Sequence, residues 1–527
     1  MAGEKEGKEW ATIKEKKPAP KKDEPETKAT EKGGIRKEIE SYFFTSERIP
    51  VNVKIVDTGD YVLHYEVSIP GLGEGTKIIL SKLKGDLIST VKLDVAEIVD
   101  TKKAVEVKRK FEEKAIQLLG RDFPTLSEET KAVLSSYLIQ STLGLGDLES
   151  LMHDERLEEV VINNAREPVW VFHKKHGWCK TNIAVKSEDS TYDYAAMIGR
   201  KIGKQINILN PLMDAHLAEG DRVNATLFPI SSFGNTLTIR KFSRNPWTII
   251  NLITAKSLTP KVAALMWLCI QNELSLLVAG GTASGKTSFL NAMAGLMPAN
   301  QRIVSIEDTR ELTLPTFLQW VPMTTREPNV EGKGGVAMLD LLVNALRQRP
   351  DRIIVGEVRR QREAEVMFEA MHTGHSVYAT LHADNAAEAV TRLTNPPINV
   401  PRQMLDVLSG IVVQFRHRRL GIRRTLEFAE VQKGGELNVL HRWDVKTDRM
   451  IEAGKMFSLA STLSLYAGMS QKEIDQDIDE KVGVINWMID HHYDGVEEVG
   501  KVVSRYYLNP DEIVKAAKMD KEWTFEE

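Results

Sequence analysis

The chain has few cysteines, no long uninterrupted apolar run and little net charge. Its only cysteines, Cys179 and Cys269, form no C-x-x-C pair, so we expect neither a disulfide framework nor a four-cysteine zinc site. The longest apolar stretch, residues 262–277, is interrupted by Gln271, Asn272 and Glu273 and therefore predicts no transmembrane helix. The N-terminus is charged rather than apolar, so we expect no signal peptide. These absences favour a cytosolic protein that reaches a membrane only through partners.

The overall composition places few limits on function. A formal net charge of −4 gives no general electrostatic reason for binding nucleic acid. The apolar fraction of 42% and the charged fraction of 27% are typical of a soluble globular protein. A length of 527 residues is enough for about three or four domains, each with its own core. The function has to be inferred from local motifs.

A glycine-rich octet in the middle of the chain matches the phosphate-binding pattern G-x-x-x-x-G-K-[ST]. It consists of Gly280, Gly281, Thr282, Ala283, Ser284, Gly285, Lys286 and Thr287. An apolar run suited to a buried parallel strand precedes it, and apolar residues with helical spacing follow it. This strand-loop-helix context favours a nucleotide-binding loop over the alternative, an ordinary glycine-rich turn.

The octet offers several kinds of ligand to a nucleotide. Its glycines allow backbone N–H groups to turn inward, and the helix that follows adds the positive end of its dipole. We expect Lys286 to reach the β- and γ-phosphates and Thr287 to offer its hydroxyl to a metal ion, with Ser288 extending the nucleotide-binding segment. The motif therefore predicts ATP and Mg²⁺ as cofactors.

Acidic residues follow two further apolar strands. The strand at 302–306 leads into Glu307 and Glu311, which the carboxyl edge of a parallel sheet would bring beside the phosphates. Either carboxylate could position or deprotonate the attacking water, and the alternative is a solvated acidic turn. The strand at 352–357 ends in Glu357, which would reach Mg²⁺ directly or through a water. It resembles a Walker B strand, except that Gly356 occupies the usual aspartate position.

A histidine ends the next predicted strand, at 374–383. At the carboxyl edge, His382 could hydrogen-bond the γ-phosphate and respond to its loss. Together with His372 and His375 it could instead belong to a metal cluster, although no cysteine or carboxylate spacing supports zinc.

These sequence motifs occur in an order that resembles that of the secretion-ATPase superfamily. Its members are the motors of type II and type IV secretion, type IV pili and the archaellum. The boxes after the phosphate loop are Ile-Glu-Asp-Thr-Arg-Glu at 306–311, the strand at 346–359, and Thr-Gly-His with Thr-Leu-His at 373–382. The resemblance spans residues 157–428, and the segments at 167–173, 221–226 and 238–242 resemble the family's N-terminal domain in its archaeal form. The layout favours the archaellum motor, with an archaeal pilus or secretion ATPase as the alternative.

The resemblance implies roles for individual residues. Glu307 or Glu311 would be the catalytic carboxylate, Glu357 the Walker B carboxylate and a metal ligand, and His382 the sensor. Two arginines on the N-terminal side, Arg222 and Arg240, match family arginines that approach the nucleotide, where a guanidinium would neutralise charge on the transferred phosphoryl group. The alternative for each arginine is a surface salt bridge.

The expected fold is α/β, with a RecA-like P-loop core built on a parallel sheet, small α/β domains before it and helices after it. We expect a disordered charged tail at 1–35, an N-terminal α/β region with connecting helices at 36–155 and a second α/β domain at 156–250. The ATPase core would span 251–395 and a mainly helical region 396–527. Short β-rich runs at 51–56, 61–69 and 77–80, a strand pair near 425–445 and a hinge over 245–254 complete the expectation.

The resemblance also implies partners. A homo-hexamer would act on a polytopic membrane platform protein together with other cytoplasmic motor components, at the inner face of the cell membrane. A nucleic-acid translocase is a competing hypothesis, because the same core fold also moves DNA. The charge balance and the lack of an aromatic-basic groove pattern argue against it. The basic residues Arg416 to Arg419, with Arg423 and Arg424, have no assigned role.

Overall fold

The computed structural model describes residues 36–91, 104–217, 220–242, 245–328, 332–417 and 419–524. The predicted tail at 1–35 lies outside these ranges. Within them, eighteen strands form two sheets of nine strands each. The helices are α1 Glu74–Thr90, α2 Ala104–Asp122, α3 Glu128–Leu143, α4 Glu149–His153, α5 Glu188–Lys201, α6 Ile249–Thr254, α7 Pro260–Gln271, α8 Lys286–Ala294, α9 Met338–Ala345, α10 Gln361–His372, α11 Ala386–Thr394, α12 Ser458–Ala467, α13 Gln471–Asp490, α14 Val496–Leu508 and α15 Pro510–Lys518.

The first sheet unites both predicted N-terminal regions. Its strands are β1 Lys37–Ser46, β2 Ile49–Asp57, β3 Leu63–Ser68, β4 Leu157–Ile162, β5 Pro168–His173, β6 Gly177–Ala184, β7 Leu212–His216, β8 Arg222–Thr226 and β9 Thr236–Arg240. The order is β1-β2-β3-β6-β5-β4-β9-β8-β7. Because β3 pairs in parallel with β6, the regions expected on either side of residue 156 share one continuous sheet instead of forming two.

The segment at 77–80 is helical, so its assignment as a β-rich run was wrong. It lies within α1, where Leu80, Leu83 and Leu87 are buried. These residues recur at helical spacing and pack with Phe111 of α2 and Leu138 of α3. Burial along one helical face therefore outweighs the β propensity of the local Ile-Ile pair.

The second sheet has the parallel arrangement that was predicted. Its strands are β10 Leu276–Gly280, β11 Ile303–Glu307, β12 Trp320–Thr324, β13 Arg352–Val355, β14 Ser376–Leu381, β15 Gly410–His417, β16 Ile422–Gln432, β17 Glu436–Asp444 and β18 Arg449–Glu452. The order is β12-β11-β13-β14-β10-β15-β16-β17-β18, with every pair from β12 to β15 parallel. The sheet thus brings the carboxyl ends of β10, β11, β13 and β14 to one edge.

The region after residue 396 contains more strand than the sequence suggested. The expected strand pair is present as β16 and β17, but β15 and β18 join them, and the sheet continues to Glu452. The helical part begins only at Ser458. Since β15 pairs with β10, these strands are part of the nucleotide-binding sheet itself.

Helices cover both faces of this sheet, which explains its nearly continuous apolar strands. Leu276 and Val278 pack with α7, α8 and the C-terminal helices, whereas Leu277 and Ala279 pack with α9, α10 and α11. The segment 249–254 also belongs to this core. Thr248 caps α6, and its hydroxyl donates to the carbonyl of Asp494 at 2.9 Å. From Thr248 onwards, the segment predicted as a hinge is therefore a capped helix packed in this core.

The buried Arg352 ties three elements together at the end of β13 away from the phosphate loop. Its side chain is fully buried and donates to the carbonyl of Ile270 at 2.7 Å, to the hydroxyl of Tyr378 and to Gln301. Removing the guanidinium takes three charged hydrogen bonds from the interior and opens a cavity, although the Ile270 carbonyl and the Tyr378 hydroxyl keep other donors.

We predict that Arg352→Ala lowers the free energy of unfolding of the core by about 3–5 kcal/mol, since both costs combine. Urea denaturation measures this loss, with the exposed Arg347→Ala as a control that changes stability by less than about 0.5 kcal/mol. Equal stability of the two variants would contradict the structural role of Arg352.

Candidate functional site

The predicted phosphate loop lies between β10 and α8, as the motif requires. Gly280 and Gly285 have φ angles of 157° and 96°, values that side chains disfavour. A Cβ on Gly280 would overlap Ser284 Oγ and lie 2.5 Å from the Gln414 carbonyl oxygen. Within the described residues, the buried Ser284 hydroxyl has no hydrogen-bond partner. The loop is therefore a tight backbone turn that only glycine permits at Gly280.

Lys286 points back over this loop. Its ammonium donates to the carbonyls of Gly280 and Gly281, each at 3.0 Å. Burial lowers the pKa of Lys286, and the nearby carboxylates of Glu357 and Glu311 counteract the shift. The outer residues of the segment, Thr282, Ala283 and Ser288, are exposed, whereas Thr287 is half-buried at the start of α8.

Glu307 is the most perturbed carboxyl group at this edge. It ends β11, is only 2% exposed, and its Oε1 accepts from the N–H groups of Glu311 and Leu312 at 2.9 and 3.0 Å. Burial raises the pKa of Glu307 to about 7, although these two hydrogen bonds oppose the shift. Its Oε2 is buried without a partner among the described residues. A carboxyl group that titrates near neutrality can exchange a proton during a reaction.

Glu357, just after the Walker B strand β13, contacts His382, just after the neighbouring strand β14. One carboxylate oxygen lies 3.4 Å from His382 Nε2, and the other accepts from Arg359 at 2.7 Å. Arg359 also bonds Asp308 at 2.6 Å and so bridges two acidic segments. Burial and the Lys286 charge lower the pKa of His382, against the opposing effect of Glu357. His382 therefore lies between a cation and an anion at the same sheet edge.

The N-terminal sheet presents Arg222 towards the acidic loop. Arg222 forms a two-point ion pair with Asp214, at 2.6 and 3.2 Å. The pKa of Arg222 is raised by this hydrogen-bonded pair, with a further contribution from Asp308 and Glu311. Arg240 lies opposite Arg222 in the pairing of β8 with β9 and is exposed.

Two side-chain contacts join this sheet to the core near the site. His216 hydrogen-bonds the hydroxyl of Thr309 in the acidic loop, and Lys204 pairs with Glu327 at 3.0 Å. The strand pair that carries His216 and Arg222 is therefore held against the acidic loop.

Sequence reasoning missed two charged residues at this edge. Arg359 follows Glu357 by two residues. Its position just after the end of a strand could have predicted that it lies at this edge of the sheet. Asp384 follows the histidine box, and its Oδ1 would lie 3.0 Å from a Cβ on Gly281. Asp384 also counteracts the lowering of the Lys286 pKa. No motif in the sequence marks it.

The residues present fit a magnesium ion carried by a nucleotide better than a protein-held metal. Within the described residues, no group of three or more His, Cys, Asp or Glu side chains is arranged to bind a metal. His375 instead hydrogen-bonds the carbonyl of Ala370 at 3.1 Å, and only His382 lies at the carboxyl edge. Mg²⁺ usually keeps several waters and takes one or two protein ligands plus substrate phosphates. The Thr287 hydroxyl and the Glu357 carboxylate match that requirement.

Comparison with known proteins places this site in a family. The model of the family described as type II/IV secretion system protein matches residues 210–433. PtlH of Bordetella pertussis, a type IV secretion system protein, is 31% identical over 301 residues, covering 51% of this chain and 88% of PtlH. The chain belongs to the type II/IV secretion ATPase superfamily. This family membership confirms the resemblance seen in the ordered boxes.

One relative matches this chain well beyond the core. The uncharacterized protein MJ0900 of Methanocaldococcus jannaschii is 30% identical over 496 residues, or 87% of each chain. A crystal structure of the VirB11 ATPase from the Brucella suis type IV secretion system is 25% identical and covers 54% of this chain and 96% of that one, with a TM-score of 0.28.

Among the helices of the described ranges, none combines the length and hydropathy needed to cross a membrane.

Burial of Glu307 predicts a pH dependence of stability in the nucleotide-free protein. Below pH 4.5 the group is protonated in both the folded and the unfolded state and has no effect. Between pH 4.5 and about 7 it ionises mainly in the unfolded state, so the folded state loses stability, and above about pH 7 the loss is constant. We expect this loss to reach up to about 3 kcal/mol.

Glu307→Gln removes the titration, so the variant should lose less stability than the wild type between pH 4 and pH 8. Denaturation across this range measures the difference, and the exposed Glu436→Gln serves as a control that keeps the wild-type slope. Parallel pH profiles for wild type and Glu307→Gln would show that Glu307 titrates normally.

Proposed function

We propose that this protein is an ATP hydrolase that converts the loss of the γ-phosphate into domain motion, and that this motion drives the assembly or rotation of an archaellum. An archaeal type IV pilus or a type II secretion-like assembly system is the alternative role. Both roles use the same chemistry, and a gene neighbourhood encoding archaellum components rather than pilins would favour the first.

The observation that carries this proposal is the grouping of Lys286, Glu307, Glu357 and His382 at one sheet edge, opposite Arg222. The Glu357 carboxylate opposes the lowering of the Lys286 pKa, and His382 lies 3.4 Å from Glu357. A structural salt-bridge network does not account for a buried, unpaired carboxylate oxygen on Glu307, which ends a strand of the same sheet as the phosphate loop. Hydrolysis requires such a proton acceptor near the phosphates.

Each residue then has a distinct role. The loop from Gly280 to Ser288 binds the phosphates, and Lys286 exchanges its loop carbonyls for phosphate oxygens. Thr287 and Glu357 would hold Mg²⁺, whose charge would offset that of the β- and γ-phosphates when it is bound. Glu307 accepts a proton from the attacking water. Glu311, half-buried and near Lys286, is the alternative base.

The remaining residues respond to the γ-phosphate. His382, between Lys286 and Glu357, hydrogen-bonds the terminal phosphate while it is present. Arg222 leaves Asp214 to approach the same charge from the N-terminal sheet, and Arg240 supports it from the neighbouring strand. Loss of the phosphate removes these attractions and lets the two sheets separate.

The family relationship supports an assembly in which this motion performs work. We infer a homo-hexameric ring in which closure of one subunit favours opening of the next. The ring would act at the inner face of the cell membrane through a polytopic platform protein. Stimulation of hydrolysis by single-stranded DNA, rather than by lipid or a platform protein, would instead favour a nucleic-acid translocase.

We predict that Lys286→Ala and Glu357→Ala each reduce ATP turnover by at least about 100-fold, because one removes the phosphate-binding cation and the other the metal carboxylate. Turnover assays on purified protein test this, with gel filtration as evidence of folding. Glu365→Ala, which removes a carboxylate of α10 that pairs with Gln361 and Arg362 of the same helix, is the matched control and should hydrolyse ATP normally. Normal activity in both site variants would refute the assignment.

We predict that Arg222→Ala lowers kcat at least tenfold with a smaller change in ATP affinity, because arginines that neutralise a transferring phosphoryl group contribute roughly 10³–10⁵ in rate. Steady-state kinetics measure the two effects separately, and Arg200→Ala, an exposed change on α5, is the control. If Asp214→Asn causes the same loss as Arg222→Ala, the arginine acts only through its salt bridge.

A further inference from the structure

The basic segment left open by the sequence forms a hairpin beside the phosphate loop. β10 and β15 pair in parallel with Gly280 opposite Gln414, and β15 and β16 pair with Gln414 opposite Thr425. The two strands then continue past the end of β10, where Arg416 pairs with Arg423. Sheet register therefore brings the start of β16 alongside the loop that follows Gly280. Arg418 lies outside the described residues.

Arg423 is the hairpin residue that contacts the loop. Its Nε donates to the carbonyl of Ala283 at 3.2 Å, and its Cδ lies 3.5 Å from the position that a Cβ on Gly285 would occupy. Gly285 directly precedes α8. The Cδ and Nε atoms of Arg423 therefore lie at the outer side of the phosphate loop, next to the N-terminal end of α8.

The backbone of Arg423 is fixed independently of this contact. Its carbonyl accepts from the Ser257 hydroxyl at 3.0 Å and from Arg424 at 2.8 Å. Arg424 is buried and forms a two-point ion pair with Asp448, with both distances 2.8 Å. The side chain of Arg423 therefore starts from an anchored strand and reaches the loop without movement of the hairpin.

The charge environment of Arg423 differs from that of its neighbours. Arg424 and Arg359 each pair with carboxylates, whereas within the described part of the chain no carboxylate pairs with Arg423. It lies instead beside a helix N-terminus, whose partial charge is positive and which follows directly into Lys286. The Arg423 guanidinium, the Lys286 ammonium and the N-terminus of α8 therefore repel one another unless an anion lies between them.

We propose that Arg423 is a nucleotide-binding residue that donates its free guanidinium N–H groups to the phosphate chain held by the loop. The inference rests on the proposed ATP-binding function and adds to it a cation supplied by the β15–β16 hairpin. A guanidinium can bridge two oxygens, so Arg423 can keep its contact with Ala283 while it binds a phosphate. The target is the phosphate chain rather than the base, because the contact atoms lie on the loop and helix end that bind phosphate.

The test measures equilibrium binding of ATP and of inorganic tripolyphosphate to the full chain by competition with a fluorescent nucleotide. We expect Arg423→Ala to weaken both ligands about tenfold or more, as hydrogen bonds between charged groups typically contribute. Arg423→Lys should recover part of the affinity. Arg419→Ala, which removes an exposed charge near the same hairpin turn, should bind like the wild type. Arg423→Met, which keeps the apolar stem, replaces the alanine variant if that variant does not fold.

Three outcomes would overturn the inference. Unchanged or tighter binding by Arg423→Ala would mean that the arginine only braces the loop, and weaker binding of ATP alone would place the contact at the base or ribose. Losses of equal size in Arg419→Ala would indicate a general charge effect. The proposed function fails separately, when the wild type binds neither ATP nor tripolyphosphate.

Discussion

Burial of one carboxyl group governs the arrangement of the candidate site. Glu307 ends its strand inside the protein, and the loop after it folds back so that the N–H groups of Glu311 and Leu312 reach its Oε1. These hydrogen bonds favour the charged form, but desolvation outweighs them and raises the pKa of Glu307 to about 7. The backbone of the acidic loop is consequently shaped around a group whose charge can change near neutral pH.

The same loop contacts three other parts of the molecule. Thr309 hydrogen-bonds His216 of the N-terminal sheet, and the N–H of Thr313 donates to Asn291 of α8 at 2.8 Å. The N–H of Thr316 donates to Glu497 of α14 at 2.7 Å. A change in the conformation of this loop must therefore move or break a hydrogen bond to the N-terminal sheet, to the helix of the phosphate loop or to the C-terminal helices. In the proposed function, this loop would transmit a change at Glu307 to these three parts of the molecule.

Local sequence patterns predicted the phosphate loop. The features that they missed depend on contacts between residues far apart in the sequence. The phosphate loop depends on glycines and apolar runs that are adjacent in sequence, so its strand-loop-helix context could be predicted. Lys77 to Leu80 resembles a strand locally, and only packing against distant helices makes it helical. The contact between Arg423 and Ala283 depends on the pairing of β10 with β15 and of β15 with β16, for which the intervening sequence carries no signal.

The position of Gly356 shows how the site departs from the usual Walker B strand. A Cβ at this position would lie 3.3 Å from Glu307 Cα, and an aspartate would therefore add a second carboxylate against a group already destabilised by burial. Glycine avoids both the contact and the repulsion. The acid one residue later, Glu357, instead extends to Arg359 at 2.7 Å, whose positive charge compensates it, and lies 3.4 Å from His382. Two carboxyl groups can thus lie at one sheet edge, because Glu357 has a cationic partner and burial raises the pKa of Glu307 to about 7.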